Sequence, residues 1–208
     1  MKTKVSAILI IMLSLFFCVF TITYNFAAID NVVHPGTVFF YYISPAGSDS
    51  NPGTQSQPWR TIQHAADTVQ AGATVLVSDG NYAGFYSVNE GWASSPITFR
   101  ANGSNVVINS QNSMTADGIN IENTDYIVID GFTIQNSPRI GVRIVNARGV
   151  TVQNSNISNS QRFGILTGWT PEIKILSNIS SNNGEHGIYV SNSNVSDDNP
   201  IIRGNQVY

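Results

Sequence analysis

The sequence predicts an all-β fold, a single-stranded parallel β-helix (solenoid) with a short N-terminal capping helix. Three observations carry it: a glycine repeat, a second repeat of apolar alternation in the same register, and one amphipathic segment ahead of both. The tracts DGINI, IGVRI, FGILT and HGIYV put Gly118, Gly141, Gly164 and Gly187 at successive intervals of 23 residues. IVIDG, VTVQN and IKILS set Ile127, Val150 and Ile173 at the same interval. IIRGN is the fourth copy, slipped by several residues because Ser191 to Asn199 is longer than its counterparts. Such a period marks one coil of a solenoid, which cannot bury its apolar face alone and must stack on its neighbours.

Each copy reads as two short alternating strands joined by turns rich in Asn, Ser and Gly, with no helical period between them. Stacking at the spacing of paired strands puts equivalent residues over one another. Ile119, Val142, Ile165 and Ile188 form one inward ladder, and Ile121, Ile144, Thr167 and Val190 the next. On the second strand Ile127, Val150 and Ile173 point inward, as do Ile129, Val152 and Ile175. Asn154 with Ser177, and Asn159 with Asn182, are turn columns expected to bond along the axis. A leucine-rich repeat shares this period, but its signature leucines and asparagine are missing.

Ahead of the repeats, Val38 to Ile43 is a β-prone run, followed by the turn-rich loop SPAGSDSNPGT. Pro58 to Ala71 then places Ile62, Ala65, Ala66 and Val69 on one helical face, with Gly72 just past the end. A helix with one apolar face is suited to plug the open end of a β-helix, whose bare edges invite aggregation. Thr74 to Val77, Ile97 to Arg100 and Val106 to Ile108 supply the first, less regular rungs.

Residues 1–28 differ from the rest. Lys2 and Lys4 precede an apolar stretch, Val5 to Ile22, which reads as an export signal. The stretch is nearly long enough to span a bilayer, so cleavage and retention as an N-terminal anchor both stay open. Either way the basic start orients the remainder outward, to a secreted or cell-surface location, with membrane contact only through an uncleaved segment. Cys18, the one cysteine, lies in this segment, so the exported part has neither disulfides nor thiolate chemistry. The chain thus divides into 1–28, signal or anchor; 29–73, strand, loop and capping helix; and 74–208, β-helix rungs, regular from about residue 117. It stops at Val207-Tyr208 without a capping element, which reads as a C-terminally truncated solenoid.

Composition bounds the function. Charged residues are 11% of the chain, apolar residues 42% and aromatics 10%, enough for a core and too little charge for a disordered tail. The net charge is −3 and no basic cluster exists, so nucleic acid is not a partner the sequence favours.

The stretch Tyr41 to Tyr82, YYISPAGSDSNPGTQSQPWRTIQHAADTVQAGATVLVSDGNY, resembles the N-terminal cap and first strand of secreted right-handed parallel β-helix proteins of the pectin-lyase-like superfamily. It is most similar to the opening of family nine polysaccharide lyases. His186 to Tyr208 similarly resembles the rungs of bacterial β-helix repeat proteins. The resemblance implies an extracellular acidic polysaccharide as partner. A lyase of this kind abstracts the proton beside a uronate carboxylate with a lysine base, aided by Ca²⁺ in an aspartate cage. The same fold also hosts hydrolases, epimerases and non-catalytic adhesive proteins, so a surface or adhesive module is the alternative.

Candidate site residues follow. Lys174 is the one lysine outside the signal and alternates outward on the second strand, but Thr151, Gln153, Leu176 and Arg203 around it form no cage; the plain reading is a solvated lysine. Glu185 and His186 are an adjacent acid and imidazole, able to pass a proton or simply to occupy a rung corner. Asn123-Thr124-Asp125 and His186-Gly187 resemble fragments of the polygalacturonase pattern, in the wrong order, and the former reads as a turn. Asp197 and Asp198, with Asn194 and Asn199, offer oxygens for a loose Ca²⁺ site or are solvated loop acids. His34, His64 and His186 show no zinc-ligand spacing. Arg143, Leu166 and Tyr189 share an outward column above Asn120, with Arg139, Arg162 and Trp169 in adjacent turns; rings for pyranose faces and guanidinium forks for uronates make this the binding-stripe candidate.

Overall fold

Residues 39–191 and 199–208 are described by the computed structural model. The segment 1–28, Val38, His34, Asn194, Asp197 and Asp198 lie outside the described residues. The β-prone run forms β1 (Phe39–Ile43), and the turn-rich loop after it folds around one carboxylate. Asp49 Oδ1 accepts from the Arg60 and Thr61 N–H groups at 2.9 Å each, and Oδ2 from the Thr61 hydroxyl at 2.8 Å. Burial raises the Asp49 carboxyl, but these hydrogen bonds outweigh it and hold the group below its usual range. Trp59 stacks on Tyr41 at 4.8 Å and bridges Ile43, tying the loop to β1.

The helix is shorter than the apolar periodicity implies: α1 spans Ile62–Thr68, not Pro58 to Ala71. Residues 58–60 are committed to the Trp59 bridge and the Asp49 hydrogen bonds, so Thr61 is the N-cap, accepting from the His64 N–H at 3.2 Å. Val69 leaves the helix in extended backbone with ψ 153. Ile62, Ala65, Ala66 and Val69 are buried in the same core as the strands, so the expected apolar face is the one used.

The chain then coils. The first turn is β2 (Ala73–Val77), β3 (Gly80–Ala83) and β4 (Phe85–Tyr86); the second is β5 (Ile97–Ala101), β6 (Val106–Ser110) and β7 (Ile119–Glu122). The third is β8 (Ile127–Asp130), β9 (Thr133–Gln135) and β10 (Ile140–Val145), and the fourth β11 (Thr151–Gln153), β12 (Asn156–Ser158) and β13 (Phe163–Gly168). The fifth is β14 (Lys174–Leu176), β15 (Ile179–Ser181) and β16 (His186–Ser191), followed by β17 (Ile201–Arg203) and β18 (Gln206–Val207). Like strands pair in parallel from turn to turn, giving sheet A (β1-β2-β5-β8-β11-β14-β17), sheet B (β3-β6-β9-β12-β15-β18) and sheet C (β4-β7-β10-β13-β16). The result is a β-solenoid of about five turns. Each repeat therefore carries three strands, not two: the sheet B strands β9, β12 and β15 are three residues long, too short to show alternation.

The predicted ladders are the observed registers. Val142 pairs with Ile119 and Ile165, and Ile165 with Ile188; Ile144 pairs with Ile121 and Thr167. Sheet B adds Ile108, Ile134 and Ile157, with Ser180 next in line, its hydroxyl turned to the Gly187 carbonyl at 2.8 Å. The glycine column has a direct cause. A Cβ on Gly118 would lie 2.7 Å from the Gly141 carbonyl oxygen, and one on Gly141 2.7 Å from that of Gly164, closer than a real Cβ tolerates.

The Asn/Ser columns work differently from expectation. Asn154 and Ser177, and Asn159 and Asn182, turn corners at φ between 51 and 56, the left-handed region that Asn accepts more readily than most residues. Asn154 Nδ2 does donate along the axis, to Asp130 Oδ1 of the preceding turn at 2.8 Å, but the continuous chain of axial hydrogen bonds comes one residue later. Ser155 Oγ accepts from the Phe132 N–H at 3.2 Å, Asn178 Oδ1 from the Ser155 N–H at 3.0 Å, and Asn205 Oδ1 from the Asn178 N–H at 2.9 Å. This buried staircase satisfies backbone donors inside a corner where no strand partner is available.

Two substitutions test the stacking. Ile165→Asp buries an unpaired charge between Val142 and Ile188 and should cost about 3–5 kcal/mol, while Gly141→Ala should cost about 1–3 kcal/mol by overpacking. Thermal melts followed by circular dichroism read both; an Ile165→Asp protein melting like the wild type would refute the ladder.

Candidate functional site

Side chains on the convex side of a β-helix are free of packing duty, so a site is sought where outward columns gather chemistry. Sheet C presents such a column in register: Tyr86, Asn120, Arg143, Leu166 and Tyr189. Arg143 does not stand free in it. Its Nη1 donates to Glu122 Oε2 at 2.6 Å and to Asn120 Oδ1 at 3.0 Å, and its Nη2 to Glu122 Oε1 at 3.4 Å. That hydrogen-bonded guanidinium outweighs burial and holds the Glu122 carboxyl below the usual glutamate range. Along one margin of the sheet, fully buried Asp117 takes Arg139 Nε at 2.8 Å and Nη2 at 2.5 Å.

The same margin carries Glu185 and His186. Glu185 gives both oxygens to Arg162, at 2.6 and 3.2 Å, and this fork holds its carboxyl low. A carboxylate held low is a weak proton acceptor near neutral pH. The His186 ring stacks with Phe163 at 5.7 Å and with Tyr189 at 5.6 Å, while Phe163 and Tyr189 stand 5.3 Å apart. Arg162 lies over the Phe163 ring at 4.9 Å. The structure therefore brings Arg162, Glu185, His186 and Tyr189 together around Phe163, which was not among the expected site residues.

At the opposite margin, Trp169 follows β13 with its ring 57% exposed and its backbone at φ 52. Equivalent corners in the two preceding turns hold Asn123 and Asn146, for which this conformation is ordinary. A bulky residue there is strained. Asn123 accepts from Asn146 Nδ2 at 2.6 Å and Asp125 from the Arg148 N–H at 2.8 Å, so Asn123-Thr124-Asp125 is a turn.

Lys174 lies on another sheet, exposed at the start of β14 between Thr151 and Ile201, with Gln153, Leu176 and Arg203 in the next outward column. It is not brought to Glu185 and His186. Among the described residues its strand neighbours Thr151 and Ile201, and Gln153, Leu176 and Arg203 beside them, carry no carboxylate and so do not fit a Ca²⁺ cage. Among the described residues no three His, Cys, Asp or Glu side chains gather as a metal site. Among them, too, no helix is long and apolar enough to cross a membrane.

Parallel strands stacked turn on turn around one core define a parallel β-helix. The chain belongs to the family described as Pel9A-like, right-handed β-helix region, which it matches over residues 41–193. It is 39% identical over 106 residues to the uncharacterised protein YwoF of Bacillus subtilis strain 168, covering 48% of this chain and 23% of that one. Among solved structures it is similar to pectate lyase Pel9A, with TM-score 0.61, 18% identity and coverage of 72% of this chain and 41% of that one. It is similar also to an alginate lyase from Paenibacillus sp. FPU-7, with TM-score 0.61, 24% identity and coverage of 71% and 55%. A GH136 lacto-N-biosidase from Eubacterium ramulus follows at TM-score 0.58, 14% identity and coverage of 82% and 36%. The fold is thus one shared with polysaccharide lyases and glycoside hydrolases, and the chain spans about half or less of each of these relatives.

The ion pairs set a pH dependence. Glu122 and Glu185 have folded-state pKa values lowered by Arg143 and Arg162, so their contribution is present above the ordinary glutamate value of 4.5 and lost as pH falls through the lowered folded values. Melting temperature should therefore fall below about pH 4.5, and Glu122→Gln should fall less steeply than wild type over that window. Parallel pH profiles would contradict the pairing.

Proposed function

We propose that this β-helix is an exported module that binds an acidic extracellular polysaccharide along the outward face of sheet C, through Tyr189 and Trp169 as stacking rings and Arg143 and Arg162 as cationic partners. The observation that carries the reading is Trp169. Backbone strain of order 1–3 kcal/mol is tolerated there to display an indole to solvent, at a corner where its counterparts are asparagines. Aromatic faces suit pyranose rings, and a guanidinium held by its own glutamate keeps further N–H donors that a uronate can take. The export signal at 1–28 and the lyases of like fold support an extracellular glycan as the partner.

Cleavage by β-elimination is the second reading, supported by the kinship of fold with pectate and alginate lyases. It would make Lys174 the base, yet among the described residues no carboxylate cage surrounds it. Binding without turnover is therefore the outcome expected of this chain.

Affinity gels loaded with polygalacturonate or alginate test both readings. The protein should be retarded, and Tyr189→Ala or Arg143→Ala should relieve the retardation. Trp169→Asn should also bind less while melting higher, by about 1 kcal/mol of relieved strain. Incubation with either polymer and Ca²⁺ should give no near-ultraviolet absorbance of an unsaturated uronide; absorbance abolished by Lys174→Ala would establish the lyase instead.

A further inference from the structure

A second feature lies off the sheet C column. Between the end of α1, the loop joining β4 to β5, and the turn after β7 is a groove of about 730 Å³, within the range of small-molecule sites. Its walls include Val88, Asn89, Glu90, Trp92, Gln70 and Asn123. Trp92 is 63% exposed and Val88 47%, which makes the apolar wall a solvent-facing one.

The loop that presents Trp92 is built rather than loose. Trp92 and Ser95 exchange backbone hydrogen bonds at 3.1 and 2.9 Å, closing a small hairpin. The Gly91 N–H donates to the Asp125 carbonyl at 2.9 Å, and the Gly72 N–H to Ser95 at 2.9 Å. Asn89 Nδ2 reaches the Asp67 carbonyl at 3.2 Å, and the buried Ser87 and Thr124 hydroxyls bond to one another. The hairpin is thereby fixed to the helix on one side and to the next turn on the other. A ring carried on a fixed backbone and left in water meets a ligand with part of the ordering cost already met in folding.

The lining selects the ligand. No cation lines this groove, and Glu90 carries its one charge, so a uronate is repelled where the sheet C column would accept one. An indole beside carboxamides and a carboxylate matches a neutral pyranose, whose C–H face stacks on the ring while its hydroxyls take donors and acceptors. Asn123 also lines a smaller pocket of about 230 Å³ with Tyr86, Asn120 and Glu122, so the groove joins the foot of the sheet C column.

We infer that the Trp92 groove is a subsite for neutral sugar residues, distinct in charge preference from the sheet C face. It rests on the glycan-binding reading for its ligand class and extends it to a polymer of mixed neutral and acidic residues. The test uses the full chain with cellohexaose, xylohexaose and mannohexaose as neutral probes and oligogalacturonate as the acidic one, read by calorimetry and by acrylamide quenching of tryptophan fluorescence. At least one neutral probe should bind and shield the tryptophans. Trp92→Ala, whose exposed ring predicts an unchanged melt, should weaken that binding about tenfold and leave oligogalacturonate binding intact. Tyr189→Ala and Arg143→Ala should do the reverse. Failure of oligogalacturonate alone sinks the acidic-polysaccharide reading. No neutral binding, neutral binding indifferent to Trp92→Ala, or a dimer in sedimentation that Trp92→Ala dissolves would each overturn the subsite, the last in favour of self-association.

Discussion

Each strand of the solenoid finds hydrogen-bond partners only in the turns directly before and after it, so whatever stands at one position must fit over the residue one period earlier. That single constraint accounts for features that look unrelated in sequence. Carbonyls of successive turns approach the sheet C strand starts too closely for a Cβ at Gly118, Gly141 and Gly164, and at Gly187 the Val207 side chain does the same. Corners must reverse the chain within one residue, hence left-handed backbone at Asn136, Asn159 and Asn182 in one column and at Gly131, Asn154, Ser177 and Gly204 in another. Corner N–H groups face inward without a strand partner, hence the Ser155, Asn178 and Asn205 staircase. The last step of that staircase spans 27 residues instead of 23, and the staircase continues across it. The described strands on either side of the longer loop keep their register, Lys174 pairing with Ile201 and Ile179 with Gln206.

Stacking also governs the charges. The ion pairs Arg100 with Asp130, Arg139 with Asp117, Arg143 with Glu122, Arg148 with Glu172 and Arg162 with Glu185 each join neighbouring turns. Apart from Arg139–Asp117, whose carboxylate is buried, these pairs are at least partly exposed and add little to stability singly. Their consequence is for recognition: an acidic polymer meets guanidiniums already partnered, and it gains only what a uronate offers beyond the resident carboxylate. The affinity of such a face then comes mainly from rings and from shape, which is why Trp169 and Tyr189 weigh more in the proposed function than the arginines do.

Periodicity was legible because burial repeats. Ile119 to Ile188 and Ile121 to Val190 could be assigned inward from spacing alone, since a ladder residue that faced water would break its column. The third strand of each turn was not legible, as three residues such as Asn156–Ser158 carry no alternation to detect. Helix α1 was legible in its apolar face and not in its ends, because those depend on Asp49, eleven residues upstream of Arg60. At the site, the outward column was readable from spacing, and the partners of its charges were less so. They had a signal: Glu122 precedes Arg143 by 21 residues, one period less two, the offset of a diagonal neighbour on the same face of paired strands.

The Trp92 groove shows where this kind of reading stops. It is made by the residues just after α1, by the loop between β4 and β5 and by a turn, and the first two belong to the irregular beginning of the chain, where no period relates one residue to another. Only tertiary contact brings Gln70 beside Trp92 and Asn123. A β-helix of the Pel9A-like family therefore divides its labour along the axis. Regular turns fix geometry and offer columns whose chemistry is repeated or varied one residue at a time, while the irregular turns near the cap are free to build concave walls. A ligand long enough to cross from the groove at Asn123 onto the sheet C column would meet both kinds of surface, and the change from an aromatic wall with one carboxylate to one of paired charges would read composition along its length.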